Sequence, residues 1–289
     1  MSGLRFDNRA IIVTGAGSGL GEEYAKLLAR LGASVLVMDM GDGAGRVAGE
    51  IVASGGRAVS FLGSVSDESA ATGAADLALA EFGCIDGLIN NAGIGFERPF
   101  METSTEDIRR VMDVHYFGTV AMTRAVWPVM EKAGYGRILN ITSANIFGLE
   151  GWAPYAAAKA AVFSLGRTLA LEGKPAGIKV NILAPAALTA MLLDNIKDPD
   201  ILASIQDAKP ALVGPAAAYL VHEEVPFTGR TLFSAAGLVA DILMGTTQGQ
   251  ADPDLTIDKV AQFVAGEEMH QGLRIQASTV EQTTENLGA

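Results

Sequence analysis

The sequence predicts an α/β fold, a doubly wound, seven-stranded parallel sheet with helices on both faces. Short apolar runs recur along most of the chain, and helix-like stretches separate most of them. Strands covered on both faces are near-continuous apolar runs, and strand–helix alternation builds parallel βαβ units. The predicted strands are Ala10–Thr14, Ser34–Asp39, Ala58–Leu62, Gly87–Asn90, Arg137–Thr142, Lys179–Ala184 and Thr231–Ser234.

Helix-like stretches fill the gaps between these strands, and we expect them to cover both faces of the sheet. They are Leu20–Leu31, Gly45–Ser54, Ser69–Phe82, Thr105–Ala133 and Trp152–Glu172. Residues 1–247 are therefore predicted to form one domain. Residues 248–289 are more polar and weakly periodic. We expect them to form a C-terminal extension that docks at an oligomer interface.

Composition narrows the classes of function. The 289 residues carry a formal net charge of −12, which disfavours nucleic acid as a partner. Cys84 is the only cysteine, and the three histidines (His115, His222 and His270) lie far apart, so no metal site is expected. No apolar run is long enough to span a membrane, and neither terminus carries a targeting signal. The expected location is cytoplasmic.

A glycine-rich turn follows the first predicted strand and opens the first helix. Residues 14–21 are Thr-Gly-Ala-Gly-Ser-Gly-Leu-Gly. Gly15 permits the tight turn, while Gly19 and Gly21 let the backbone approach a pyrophosphate at the helix N-terminus. Spacing and context together predict a dinucleotide site of the Rossmann type.

The end of the second strand indicates which dinucleotide binds. A carboxylate at Asp39 can accept hydrogen bonds from ribose hydroxyls and would repel a 2′-phosphate. Residues 37–42 contain no Lys or Arg that could receive that phosphate. The sequence therefore favours NAD over NADP.

Three further residues suggest hydride and proton transfer to or from an alcohol. Tyr155 and Lys159 are four residues apart in a predicted helix, which places them on one helix face. A nearby ammonium lowers the pKa of a phenol, which is about 10 when free. Ser143 ends the fifth strand, at the sheet edge where open α/β sheets bind ligands, and could hold a substrate oxygen.

Taken in order, these motifs resemble the short-chain dehydrogenase/reductase family over about residues 5–245: TGAGSGLG (14–21), NNAG (90–93), YAAAK (155–159) and VNILAPA (180–186). The resemblance implies an NAD-dependent oxidoreductase acting on a small-molecule alcohol or ketone, with Ser143, Tyr155 and Lys159 catalytic. It also implies a homodimer or homotetramer paired through the long helices. The implied cofactor-binding residues are Gly15, Gly17, Ser18, Gly19, Leu20, Gly21, Asp39, Ser64, Val65, Asn91, Ala92, Gly93, Tyr155, Lys159, Pro185, Ala186, Leu188 and Thr189.

The chain departs from the family pattern at several positions. His115 stands where most members have a catalytic Asn, so a proton relay through its ring and backbone is one hypothesis. Gly63 replaces the usual adenine-binding Asp, which leaves Ser64 and Val65 to hold the adenine, and Ala186 replaces a common Gly. The Ser143–Tyr155 separation is one residue shorter than usual, so either Thr142 or Ser143 could carry the catalytic hydroxyl.

Within the family, the segments VMDMGDG (37–43), DVHYFGT (113–119) and ALEGKPAGIKVNILAP (170–185) resemble the dehydrogenase domains of type 2 multifunctional enzymes, a subfamily that is also called type 4 17β-hydroxysteroid dehydrogenase. We expect a bulky apolar, hydroxysteroid-like alcohol as substrate. The alternatives are a (3R)-3-hydroxyacyl-CoA, whose phosphates could meet Lys197 or Lys209, and a non-catalytic dinucleotide sensor. A hydrophobic lid would comprise Leu188, Met191, Leu192, Leu193 and Ile196.

Overall fold

A computed structural model describes residues 3–189, 193, 207–266 and 272–275 of the chain. The chain divides into two compact units, Met1–Asp241 and Ile242–Ala289. The first unit contains the sheet and all of the expected site residues. Four residues of the expected lid and its surroundings lie outside the described residues: Met191, Leu192, Ile196 and Lys197.

The first unit is built on a single eight-stranded sheet in the order β3-β2-β1-β4-β5-β6-β7-β8. The strands are β1 (Ala10–Thr14), β2 (Ser34–Asp39), β3 (Arg57–Leu62), β4 (Gly87–Asn90), β5 (Gly136–Ile141), β6 (Ile178–Ala186), β7 (Thr231–Ala235) and β8 (Leu238–Asp241). Seven of them run parallel, which confirms the predicted doubly wound sheet.

The eighth strand was not predicted. It pairs antiparallel with β7 after a tight turn in which Ala236 and Gly237 both have positive φ. All four of its residues are exposed. Its apolar part, Leu238–Ala240, is only three residues long, which is shorter than the roughly four to eight apolar residues that mark a buried strand in a sequence.

Helices connect the strands close to the predicted positions. They are α1 (Gly19–Arg30), α2 (Gly43–Ala53), α3 (Glu68–Phe82), α4 (Thr105–Met112), α5 (Gly118–Ala133), α6 (Ala153–Glu172) and α7 (Gly214–Leu220). One predicted helix, Thr105–Ala133, is interrupted by a π-helical segment at Asp113–Phe117. Such π-segments insert an extra residue into a helix and often occur at functional sites.

The side chains of successive strand residues belong alternately to two apolar cores, one on each face of the sheet. In β1, Ile11 and Val13 join the core that contains α1 and α2. Ile12, between them, joins the core that contains α3 and α5. Because successive side chains of a strand point to opposite faces, the strands of this sheet must be apolar throughout.

The sheet positions the site through the neighbouring ends of β1 and β4. The order of strands reverses here, and the crossover connections leave towards opposite faces. Ligands of open α/β sheets bind in the crevice that such a reversal creates. The side chain of Asn91 donates to the carbonyls of Thr14 and Gly15, both at 3.0 Å, so the two strand ends are fixed to each other.

The second unit contains a two-stranded antiparallel pair, β9 (Gly245–Thr246) with β10 (Arg274–Ile275), and helix α8 (Ile257–Ala265). The second unit begins at Ile242, before the predicted boundary at 247/248, because Gly245 and Thr246 pair with residues of the extension. That the extension docks at an oligomer interface stays a prediction.

The described part of the chain contains no helix that is long and apolar enough to cross a membrane. Within the same residues, no group of three or more His, Cys, Asp or Glu side chains could hold a metal ion. His270 lies outside the described residues.

Two leucines on adjacent strands test whether the sheet's stability depends on burial. Leu36 in β2 is fully buried, whereas Leu62 in β3 is 65% exposed. Leu36→Ala should lower the free energy of unfolding by about 2–5 kcal/mol, because it removes buried methyl groups and leaves a cavity. Leu62→Ala should change it by less than about 1 kcal/mol. Denaturant unfolding followed by circular dichroism would show this; equal losses would contradict the described register.

Candidate active site

A cavity of about 1050 Å³ lies at the carboxyl ends of the strands. It brings together most of the residues expected from the sequence: Gly15, Ser18, Gly19, Leu20, Asp39, Ser64, Val65, Asn91, Ala92, Gly93, His115, Ser143, Tyr155, Lys159, Pro185, Ala186 and Thr189. Three expected residues do not line it: Gly17, Gly21 and Leu188. Gly17 and Leu188 instead make main-chain hydrogen bonds, to the Asp39 carboxylate and the Ala208 carbonyl respectively.

The glycine-rich turn is pressed against the end of β4. Gly15 has φ +60°, and a Cβ there would lie 2.7 Å from Cα of Ala92. Any side chain would therefore push the two strand ends apart. Helix α1 begins at Gly19, and Ser18 at its N-cap makes no side-chain hydrogen bond to the helix. The first-turn N–H groups and the helix dipole are suited to an anionic pyrophosphate.

A carboxylate in the first turn of α1 would oppose that anion, but it is neutralised locally. Glu22 accepts hydrogen bonds from Arg46 and Lys26, both at 2.6 Å. These bonds outweigh its partial burial and lower the pKa of Glu22 to about 2. The network therefore cancels the charge of Glu22 beside the turn.

Asp39 links the second strand to the same turn. Its carboxylate accepts from the N–H of Gly17 at 2.9 Å and from that of Gly41 at 3.0 Å. The side chain lines the cavity, as a ribose-binding residue would. Arg46 is the nearby cation, and its guanidinium already bonds to Glu22, Glu50 and the Gly17 carbonyl.

Ser143 and Tyr155 line the other end of the cavity, and hydrogen bonding from the Ser143 side chain favours the ionised form of the Tyr155 phenol. Ser143 also accepts from the N–H of Asn145 at 3.2 Å. Thr142 is buried, and its hydroxyl donates to the Lys159 carbonyl at 2.7 Å. Of the two hydroxyls that the sequence left open, these contacts favour Ser143.

Lys159 lies beneath Tyr155 and is only 4% exposed. Its Nζ donates to the carbonyl of Ile141 at 2.8 Å and lies 5.5 Å from the centre of the Tyr155 ring. Burial lowers the pKa of Lys159 to about 7. Burial also raises the pKa of Tyr155, opposed by the hydrogen bond from Ser143. Burial therefore dominates the pKa of Tyr155 in this structure, and the lowering of that pKa by Lys159 stays a prediction.

Two aromatic rings hold Tyr155 in place. His115 meets it edge-on, with ring centroids 5.2 Å apart, and Trp152 does so at 5.4 Å. His115 lies in the π-helical segment and is buried. Perpendicular aromatic packing of this kind restricts the ring that carries the reactive hydroxyl.

Sequence reasoning missed the residues that line the cavity mouth: Ile94, Glu97, Asn145, Leu149, Glu150 and Trp152. They belong to the loops that follow β4 and β5. A hydrogen bond from the N–H of Arg98 to the carbonyl of Gly151, at 2.8 Å, joins these loops. Nothing in the local sequence of either loop indicates that the other lies beside it.

Comparison with known proteins agrees with the geometry. Residues 9–200 match the family model for short chain dehydrogenase, and the chain belongs to that family. It is 39% identical over 274 residues to peroxisomal multifunctional enzyme type 2 of Drosophila melanogaster, covering 89% of this chain and 44% of that enzyme. The chain thus spans less than half the length of this relative.

Solved structures show the same likeness. The full-length Drosophila melanogaster enzyme superimposes with a TM-score of 0.83 at 34% identity, covering 99% of this chain and 50% of that one. A 7α-hydroxysteroid dehydrogenase complexed with NADH and 7-oxo glycochenodeoxycholic acid gives a TM-score of 0.76 at 34% identity, covering 81% and 95%. The chain is thus an oxidoreductase that acts on CH–OH groups with a nicotinamide dinucleotide.

The influence of Ser143 on Tyr155 leads to a prediction about how the rate of oxidation depends on pH. If Tyr155 accepts the alcohol proton, oxidation requires the phenolate, and the rate should rise with pH towards the raised pKa of Tyr155. Ser143→Ala removes the contact that lowers this pKa. The rising limb of kcat/KM for oxidation should then move to higher pH, with a loss of roughly 10²-fold or more at neutral pH.

Thr142→Val is the matched control, since it removes the neighbouring hydroxyl, which contacts the Lys159 carbonyl instead. The limb should stay in place in this variant. If the rising limb moved in Thr142→Val and not in Ser143→Ala, the catalytic hydroxyl would be that of Thr142, and the assignment to Ser143 would be wrong. Initial rates of NADH formation between about pH 7 and about pH 11 would supply both profiles, because that range extends above the usual phenol pKa of about 10.

Proposed function

We propose that this protein is an NAD-dependent dehydrogenase that interconverts a bulky, apolar, hydroxysteroid-like secondary alcohol and its ketone. One observation carries the proposal. A single cavity is lined by the glycine-rich turn and Asp39 at one end and by Ser143, Tyr155 and Lys159 at the other.

In the proposed chemistry, the cofactor accepts the hydride and the protein accepts the proton. NAD supplies the acceptor for the hydride that leaves the carbinol carbon. Ser143 holds the substrate oxygen, and the phenolate of Tyr155 takes the hydroxyl proton as the C=O bond forms. Lys159, beneath Tyr155, provides a positive charge when protonated. In the reverse direction, the protonated phenol of Tyr155 donates to the forming alkoxide.

The charge of the cavity supports a neutral substrate over an acyl-CoA. Among the described lining residues, Lys159 is the only cationic side chain, and it is buried at the catalytic end. The mouth carries Glu97 and Glu150 beside Leu149 and Trp152. Carboxylates there would repel the phosphates of coenzyme A, while the apolar side chains suit a polycyclic skeleton. The related 7α-hydroxysteroid dehydrogenase, whose structure holds 7-oxo glycochenodeoxycholic acid, supports a hydroxysteroid-like skeleton.

A (3R)-3-hydroxyacyl-CoA is the second candidate, favoured by the likeness to the multifunctional enzyme. Lys209, in the described part of the chain, does not line the cavity. A non-catalytic dinucleotide sensor is less well supported, because a protein that only binds the dinucleotide transfers no proton and would not need Tyr155 beside Ser143 in the cavity. The homodimeric or homotetrameric state stays a prediction. The cytoplasmic location also stays a prediction, since one relative is a peroxisomal enzyme.

Turnover is the direct test. NADH formation at 340 nm should appear with estradiol or testosterone, and more slowly with a 3-hydroxyacyl-CoA. Tyr155→Phe should lose at least about 10²-fold in kcat, because the ring stays and the proton acceptor is removed. NAD binding should be unchanged. Preference for the acyl-CoA would select the second candidate, and NAD binding without turnover of any alcohol would select the sensor.

Cofactor choice should depend on Asp39. Asp39→Ser removes the charge that would repel a 2′-phosphate, so the ratio of kcat/KM for NADP to that for NAD should rise about 10-fold or more, roughly 1.4 kcal/mol. Asp42→Ser is the control, since Asp42 is exposed, makes no capping hydrogen bond to α2 and does not line the cavity. An unchanged ratio in Asp39→Ser would remove Asp39 as the determinant of cofactor choice.

A further inference from the structure

A cluster of four charged side chains lies beside the glycine-rich turn, and the proposed chemistry does not use it. Its members are Glu22 and Lys26 from α1, and Arg46 and Glu50 from α2. Lys26 bonds to both carboxylates, and so does Arg46. The formal charges of the cluster cancel. The cluster therefore joins the two helices and adds no net charge next to the turn.

The guanidinium of Arg46 is fully engaged within this cluster. Its Nη1 donates to Glu22 at 3.1 Å and to Glu50 at 2.8 Å. Its Nη2 donates to the second oxygen of Glu22 at 2.6 Å and to the carbonyl of Gly17 at 3.0 Å. Each terminal nitrogen of a guanidinium carries a pair of N–H groups, and here each pair has a pair of acceptors. A further anion could bind Arg46 strongly only by displacing one of these acceptors.

Arg46 and the expected ribose ligand Asp39 bond to the same residue of the turn. The N–H of Gly17 donates to Asp39 at 2.9 Å, while the carbonyl of Gly17 accepts from Arg46. No side chain fits between them, since a Cβ at Gly17 would lie 2.9 Å from Cγ of Asp39 and 3.0 Å from the nitrogen of Ala44. A cation thus lies one residue away from the carboxylate that is expected to bind the ribose hydroxyls.

An arginine in this place is suited to bind a phosphate group, because guanidinium and phosphate form charge-assisted hydrogen bonds. Glu22 is ionised at neutral pH, since its bonds to Arg46 and Lys26 lower its pKa to about 2. A 2′-phosphate would have to compete with two carboxylates for Arg46, and it would also meet the negative charge of Asp39. Repulsion by Asp39 and engagement of Arg46 therefore act in the same direction, against NADP.

We propose that Glu22, together with Glu50, is a specificity-determining residue for the cofactor, because it binds Arg46 and so withholds the cation that the 2′-phosphate of NADP would need. The proposal rests on the proposed function for the preference for NAD. Its physical part, that a released Arg46 binds a 2′-phosphate, does not depend on any alcohol substrate.

Binding of NADH and NADPH, followed by nicotinamide fluorescence, tests this without turnover. The two cofactors differ only in the 2′-phosphate, so the ratio of their dissociation constants isolates that group. In an Asp39→Ser background, Glu22→Gln should lower the Kd for NADPH relative to that for NADH by roughly 5-fold or more, because Arg46 can then bond to the phosphate. The gain should shrink at high salt, which screens exposed charges.

Glu23→Gln, in the same background, is the matched control. It removes the same charge from the next position of α1, and Glu23 is not among the hydrogen-bond partners of Arg46. The ratio should stay the same in this variant. Adding Arg46→Gln to the Asp39→Ser/Glu22→Gln protein should abolish the gain, because the phosphate ligand is then removed. Circular dichroism would verify that each variant is folded.

Three results would overturn the proposal. If Glu22→Gln gave no gain, release of Arg46 would not matter. If Glu23→Gln gave an equal gain, the ratio would depend only on the total charge near the turn. If the gain survived Arg46→Gln, another cation would bind the phosphate. If the wild type bound NADPH more tightly than NADH, the proposed preference for NAD would fail, and the variants with and without Arg46 would still decide whether Arg46 is the withheld ligand.

Discussion

The site depends on one constraint: the end of β1 and the end of β4 must touch. Gly15 leaves no room for a side chain against Ala92, and the Asn91 amide bonds to the carbonyls of Thr14 and Gly15. This contact places the phosphate-binding turn on one side of the crevice. On the other side it fixes the start of the loop that carries Gly93, against which His115 packs. The proposed cofactor site and the proposed catalytic group therefore lie against the same pair of strand ends, which suits hydride transfer between fixed positions.

Burial sets the chemistry of the catalytic end. It lowers the pKa values of Lys159 and His115 and raises that of Tyr155, so burial favours the neutral form of each group in the absence of ligands. A site of this kind costs stability, since ionisable groups taken from water are destabilising unless they are bonded. Lys159 is bonded to the Ile141 carbonyl and His115 to that of Ile94. The Ser143 side chain opposes the rise in the pKa of Tyr155, and this influence is separate from its proposed role of holding the substrate oxygen.

The fold could be predicted from the sequence wherever burial is two-sided. β1, β2 and β4 begin and end at the predicted residues, because a strand between two cores must be apolar along its whole length. β8 escaped prediction because its residues are exposed and only its neighbour β7 defines it. The π-helical segment around His115 escaped for a different reason. The apolar periodicity of residues 105–133 continues through it, and an inserted residue shows only in the hydrogen bonding of the backbone.

The two ends of the cavity also differ in how far the sequence could predict their lining residues. Most residues that line the proposed cofactor end could be predicted, although Gly17 and Gly21 do not line the cavity, because a backbone that must approach a pyrophosphate requires glycine at fixed spacings within one turn. The mouth could not, since Glu97 and Trp152 come from separate loops that meet only through the bond between Arg98 and Gly151. Loops of this kind bear little of the core, and they can change without disturbing the β1–β4 contact. The reaction class is thus encoded in short local motifs, whereas, under the proposed function, the choice of substrate depends on how two loops meet above the ends of β1 and β4.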